Sequence, residues 1–166
     1  MSRKVCGAQE RKESFHVLEL KGIHKSFDGV PVLKNICLNV EEGEIVSILG
    51  PSGCGKTTLL HLILGMVEAD AGTITYQGED ITHMPMEKRG FNIVFQDYAL
   101  FPHLNVYKNI TYGLKNKPHI STQAEVEELI DLLGLRNHLK KRIDQLSGGQ
   151  KQRVALARTM VMKPKI

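Results

Sequence analysis

Glu44-Ile45-Val46-Ser47-Ile48-Leu49 runs directly into Gly50-Pro51-Ser52-Gly53-Cys54-Gly55-Lys56-Thr57-Thr58, and Leu59 to Leu64 continue the stretch. The first six residues are mostly apolar on both faces, the pattern of a buried parallel strand. The next residues spell G-x-x-x-x-G-K-T, and Thr57 to Leu64 reads as a helix. Strand, glycine loop, helix is the context in which this motif binds phosphate. Small residues let backbone N–H groups turn inward and cradle oxyanions. The following helix adds the positive end of its dipole. Lys56 is then expected to reach the β- and γ-phosphates of a nucleotide, and Thr57 to place its hydroxyl on Mg²⁺. The plain alternative is a glycine-rich turn beside an exposed lysine. A loop of this type does not by itself choose among kinases, GTPases and motor ATPases.

Far downstream, Leu146-Ser147-Gly148-Gly149-Gln150 precedes Lys151-Gln152-Arg153. Ser147 can cap a helix there, and Gly148 and Gly149 allow close approach of backbone to a phosphate. The sequence therefore holds two anion-binding helix starts, and within one subunit the second is redundant. A generic capping turn is the alternative. On these residues together the chain resembles the ATP-binding-cassette (ABC) ATPases, whose signature reads LSGGQ. The resemblance implies a P-loop NTPase core of the α/β class, with an N-terminal antiparallel β-region and a helical subdomain. It also implies a head-to-tail pair of subunits, in which the signature of one covers the γ-phosphate held by the loop of the other.

Further sites follow from the resemblance. Gln96, after the apolar run Phe91-Asn92-Ile93-Val94-Phe95, is similar to the family's glutamine loop, where a side-chain carbonyl can ligate Mg²⁺ or hold the attacking water. A surface glutamine is the alternative. Phe27 takes the place of the aromatic that stacks on adenine, its flat π-face offered to a base; a buried core aromatic is the alternative. The implied nucleotide-binding set is Phe27, Gly50, Pro51, Ser52, Gly53, Cys54, Gly55, Lys56, Thr57, Thr58, Ser147, Gly149 and Gln150. The catalytic set is Lys56 and Gln96, and the metal set Thr57 and Gln96. ATP and Mg²⁺ are the implied ligands. Implied partners are a second copy and the transmembrane permease subunits of an importer. Leu100 to Val106 lies where such a permease would insert a short helix, although core packing explains each of its residues equally well. Its wording is most similar to subunits serving polyamine, ferric-iron, phosphonate or sulfate importers.

The resemblance runs from Val17 to Ile166, and the family's pattern continues beyond that point. Met162 to Ile166 reads as the lead-in to a further buried strand, one that carries the Mg²⁺-side aspartate and the catalytic glutamate, with a switch histidine later still. Asp97 and Asp144 cannot take these roles, since neither ends an apolar strand. The expectation is a fragmentary subunit with its C-terminal part missing, weakly stable alone. Two readings stand beside the transport ATPase: nucleotide binding without turnover, and a non-transport ABC ATPase. The short interval from Gln96 to Ser147 leaves no room for the long arms of the latter, and a P-loop kinase has no use for the helix start at Ser147.

Strand-like runs are His16 to Leu20, Gly22 to Phe27 with a turn at Asp28-Gly29, Asn35 to Val40, and Gly72 to Tyr76. The texture then becomes helical, over Asn105 to Leu114, Thr122 to Leu133 and Ser147 to Met162. Thr122 and Glu125 form a capping box, and Val126, Leu129, Ile130 and Leu133 share one helical stripe. Pro118 and Pro164 punctuate this region. The organisation read from this is a flexible tail over 1–14, a nucleotide-binding core over 15–96, a helical subdomain over 97–146, and the signature helix with its lead-in over 147–166.

Composition bounds the rest. The 166 residues are 42% hydrophobic and 24% charged, with a formal charge of +4, ordinary for one globular domain. No apolar run reaches the length of a membrane helix, since Leu59 to Val67 is short and broken by His61, and Met1 to Ser14 lacks the apolar stretch of a secretory signal. The location expected is the cytoplasm, at the inner face of the membrane through permease subunits. Lys140-Lys141-Arg142 reads as a solvated helix end, with no interleaved aromatics to stack bases, so no nucleic-acid partner is expected. Cys6, Cys37 and Cys54 show no paired spacing and read as reduced thiols. His24, His61, His83 and His103 show no metal-like spacing.

Overall fold

A computed structural model describes residues 16–166; the expected tail over 1–14, with Cys6, lies outside the described residues. The chain divides into two compact units, Met1–Arg89 and Gly90–Ile166. The division falls upstream of the boundary after Gln96 set from the sequence.

The first unit is an antiparallel sheet with one long helix. Its strands are β1 (Leu18–Phe27), β2 (Val30–Val40), β3 (Ala71–Tyr76) and β4 (Glu79–Asp80), in the order β2-β1-β3-β4. The two runs on either side of Gly22 are one continuous strand, β1, and the run from Asn35 begins earlier, at Val30. Asp28 and Gly29 both have positive φ (49° and 77°), and Phe27 pairs with Val30 across them. That is the two-residue turn whose twist matches the strands it joins. Gln77 and Gly78 repeat the device (φ 50° and 81°) and join β3 to β4, a strand too short to signal itself in the sequence. Leu18 and Leu20 are buried on either side of half-buried Glu19; each buried leucine contributes about 1.5–3 kcal/mol. Helix α1 (Lys56–Leu64) buries Leu59, Leu62, Ile63 and Leu64.

Helix α1 is held at its far end by a residue with no sequence signature. Arg89 closes the short helix α2 (Met86–Arg89) and is 3% exposed. Its guanidinium donates to the carbonyls of Leu62 and Ile63 at 2.8 Å each, to Met84 at 2.7 Å and to Thr82 at 3.1 Å. The last carbonyls of a helix lack intrahelical partners and carry its negative end; a buried cation answers both needs.

The second unit is helical. Its elements are α3 (Val106–Ile110), α4 (Gln123–Leu132) and α5 (Gly148–Met160), with single 3₁₀ turns at Tyr112–Lys115, Arg136–His138 and Ile143–Gln145. The helix expected over Asn105 to Leu114 is only α3 followed by the first of these turns. Its core gathers Val106, Ile110, Val126, Ile130, Leu135 and Val154. Thr122 and Glu125 form the expected capping box on α4, and of the expected stripe Val126 and Ile130 are buried, Leu129 and Leu133 half-buried.

Two expected strands are not formed. Residues 44–49 enter no ladder, and Ile45 is 93% and Leu49 81% exposed. Residues 91–95 are likewise irregular. The reason is pairing. A parallel strand exists only between neighbours that satisfy its backbone groups, and no described segment pairs with 44–49. The segment from Gly90 has the start of a partner: Lys165 N donates to Gly90 O and Asn92 N to Ile166 O, each at 2.9 Å. Both contacts advance in the same chain direction, the first rung of a parallel pairing that two residues cannot extend. Lys165 and Ile166, the end of the expected lead-in, are therefore placed beside the start of the 91–95 run.

Candidate nucleotide site

The glycine loop lies between residue 49 and α1. Gly53 (φ 79°) and Gly55 (φ 92°) adopt left-handed backbone. At Gly55 a second constraint acts. A Cβ there would stand 2.8 Å from Leu33 Cδ2 and 3.1 Å from Val32 Cγ1, so the loop rests on β2 at a residue that has no side chain. This fastening also places Phe27. Phe27 pairs with Val30, and Leu33 lies three residues along the same strand, about 10 Å at strand spacing. Phe27 and the loop thus border one stretch of β2, at the scale of a nucleotide. Phe27 is 45% exposed, so it is not a buried core aromatic.

Within the loop, Lys56 Nζ donates to the carbonyls of Gly50 and Pro51 at 2.8 Å each and approaches Cys54 Sγ at 3.7 Å. The ammonium is drawn across the loop, where phosphate oxygens would compete with those carbonyls for it. Gly55, the residue before α1, offers no side-chain cap, and no acidic residue stands in the first turn, so the positive end of the helix is left open. Pro51, Ser52, Gly53 and Thr57 are exposed, and Thr58 is half-buried. Among the described residues no group of three or more His, Cys, Asp or Glu could hold a metal. One exposed threonine hydroxyl suits magnesium, which retains waters and takes its other oxygens from substrate phosphates.

The second helix start is in the other unit. Ser147 caps α5: its Oγ accepts from Gln150 N at 3.3 Å, and Gln150 Oε1 accepts from Ser147 N at 2.9 Å. Gln150 Nε2 also lies 3.2 Å from His138 Nε2, so both ends of its amide are engaged inside the unit. Leu146 is buried and anchors the turn, whereas Ser147, Gly148 and Gly149 are exposed and a Cβ on either glycine would meet nothing within 4 Å. No acidic residue stands in the first turn of α5. The sequence identified the cap and both glycines; it gave no sign of Leu146 as the anchor or of His138.

Gln96 is exposed and opens a turn at 96–99. It does not end a strand, because 91–95 finds no ladder. Behind it Tyr98 (φ 64°) and Ala99 (φ 41°) hold left-handed backbone, uncommon for residues with a Cβ. Arg158, on α5, donates to Ala99 O at 2.7 Å and Tyr98 O at 3.0 Å, and its guanidinium lies 5.3 Å from the Phe101 ring centroid. Asn109, fully buried on α3, accepts from Phe101 N at 2.9 Å and donates to the carbonyls of Phe101, Leu104 and Asn105 at 3.1–3.2 Å. The loop after Gln96 is thus held from both sides. Arg158 carried no local signal, since it acts on backbone far away along the chain, and the nearby backbone that Asn109 holds follows no short pattern.

The chain is 50% identical over 153 residues to the spermidine/putrescine import ATP-binding protein PotA of Mesoplasma florum, spanning 91% of this chain and 44% of that protein. It is 48% identical over 160 residues to the PotA protein of Aliivibrio fischeri, spanning 95% and 42%. The chain thus spans less than half the length of these curated relatives. Among solved structures it is similar to cbiO1 from Clostridium perfringens, part of the ABC transporter complex cbiONQ, at TM-score 0.78 and 30% identity over 90% of this chain and 63% of that one. The profile of the ABC transporter family matches residues 33–166, from within β2 through the glycine loop and α5 to Ile166, and the chain belongs to that family.

Proposed function

We propose that the chain is the nucleotide-binding part of an ABC importer's ATP-binding subunit, which holds MgATP between two copies arranged head to tail and energises solute transport. One observation carries this reading: a single chain presents two acid-free, solvent-open helix starts, α1 behind a glycine loop and α5 behind Ser147. A nucleotide held on α1 of one copy is offered α5 of the other. The loop N–H groups and Lys56 take the β- and γ-phosphates, and Phe27 takes adenine. Thr57 and Gln96 are the metal ligands of this reading; magnesium, when bound, offsets phosphate charge. Gln96 orients the attacking water, and Ser147, Gly149 and Gln150 close on the γ-phosphate from the second copy. The relatives named for spermidine/putrescine import support a polyamine as the solute of the complete assembly, at the cytoplasmic face of a permease.

Sedimentation velocity with MgATP tests the pairing. The wild-type chain is expected to shift toward dimer, and Lys56→Ala and Gly149→Asp each to abolish the shift. An equimolar mixture of the two variants should restore part of it, because one of the two sites then combines an intact loop with an intact signature. Nucleotide that leaves wild-type sedimentation unchanged overturns the dimer.

For these 166 residues alone, a second reading is binding without turnover. Its support is chemical: Lys56, Thr57 and Gln96 supply charge and position, but none is a base for water. Steady-state phosphate release dependent on Lys56 would overturn it.

A further inference from the structure

Phe27 is not an isolated exposed ring. Lys25 Nζ lies over it, 5.5 Å from the ring centroid, within cation–π range. The lysine side chain is only 15% exposed and is fixed at its tip by Asp70, whose Oδ1 accepts from Nζ at 2.7 Å. Asp70 is itself fixed to the same strand. Its Oδ2 accepts from Ser26 N at 2.6 Å, and its backbone N donates to His24 O at 2.9 Å. Three contacts with three successive residues of β1 leave the carboxylate little freedom, and through it the ammonium. The Asp70 carboxyl lies below the ordinary carboxylate range, first through the Lys25 bond and then through Ser26 N, so Asp70 is ionised at neutral pH.

We infer that Lys25 and Asp70 are positioning residues for the adenine platform: Asp70 locks Lys25 over one face of Phe27, leaving the opposite face to stack on the base. This rests on the reading of Phe27 as the adenine-stacking residue. A cation held over an aromatic ring draws π-density toward itself, which makes the far face a better partner for an electron-rich base. It also occupies the face on which a base would stack unproductively.

The test separates the base from the phosphates. Affinities of the full 166-residue chain for ATP and for inorganic tripolyphosphate, each with magnesium, are measured by calorimetry, and their ratio reports the base. In the wild type ATP is expected to bind about tenfold more tightly, and Phe27→Ala should remove most of that advantage. Lys25→Met and Asp70→Asn should each lower the ratio by about two- to fivefold, while Lys25→Arg retains it. The two variants change local charge in opposite senses. A generic electrostatic effect would therefore move tripolyphosphate affinity up in one and down in the other, whereas loss of positioning lowers the ratio in both. An unchanged ratio in Lys25→Met and Asp70→Asn, with Phe27→Ala defective, overturns the inference alone. An unchanged ratio in Phe27→Ala overturns the stacking reading, and the inference with it.

Discussion

At Gly55 two independent constraints meet, and they can be separated by comparison with Gly53. Both residues have left-handed backbone, but only Gly55 lies against other atoms, Leu33 and Val32. Gly53→Ala should destabilise by about 1–2 kcal/mol, the cost of a left-handed residue with a Cβ. Gly55→Ala should cost more, about 2–4 kcal/mol, because the side chain also overpacks the loop against β2. Urea unfolding of the two variants measures the difference, and equal values would show that the strand contact has no energetic weight. Gly148 and Gly149 predict the opposite sign. They sit at the start of α5 without positive φ and with space around them, so alanine should stabilise the chain by roughly 0.5–1 kcal/mol at each. The same substitutions should weaken nucleotide-dependent pairing, where the absence of a side chain serves the approach of a phosphate. The types of these residues were legible in the sequence. The reason for the Gly55 glycine was not, since Val32 and Leu33 become its neighbours only when β2 folds beneath the loop.

Helix ends set the energetics of the elements. The C-terminal carbonyls of α1 depend on Arg89, buried without any carboxylate partner among its hydrogen bonds. Burial pushes its pKa down, yet four carbonyl acceptors keep it a cation. Leu62 O keeps the N–H of Gly65, but Arg89→Met should strip the guanidinium from Ile63 O and the other carbonyls it holds and lower stability by about 2–4 kcal/mol, read by urea denaturation; a loss below about 1 kcal/mol would show that water replaces the guanidinium. At the N-terminus of α4, Glu125 is pulled from its ordinary 4.5 to about 2, by Lys163 first and then by the backbone N–H of Thr122. Its folded value is depressed, so its contribution is complete above about pH 4.5 and is lost as pH falls through about 2. Amide exchange in the first turn of α4 should accelerate over that window. In Lys163→Met the acceleration should begin at higher pH, and an unchanged profile would show that the lysine does not hold the carboxylate. The Thr122–Glu125 and Ser147–Gln150 caps were legible because a capping box is a four-residue pattern. Arg89 and Arg158 were not, because each binds carbonyls distant in sequence, nor was Asn109, whose nearby acceptors follow no short pattern.

Over the whole molecule, the apolar segment 44–49 has no strand neighbour among the described residues, and Ile45 and Leu49 stand almost fully exposed. Unpaired backbone beside apolar side chains is a template for association. The 166-residue chain should therefore self-associate without nucleotide as its concentration rises. Ile45→Lys with Leu49→Lys should suppress that association while leaving the nucleotide-dependent shift in place. Light scattering distinguishes the two, and persistent association in the double variant would place the sticky surface elsewhere.

The sequence by itself determined the α/β class, the phosphate loop, the signature cap and the family, because these reside in short patterns whose spacing is set by local backbone geometry. It also marked 44–49 and 91–95 as strands by composition, and there only tertiary structure could decide: a β-strand is completed by the neighbour that takes its hydrogen bonds, and composition does not supply one. Tertiary structure alone likewise brought Lys25, Asp70 and Phe27 together, and placed Arg158 on the loop behind Gln96. These contacts join residues distant along the chain, and their energy exists only once the fold has closed the distance.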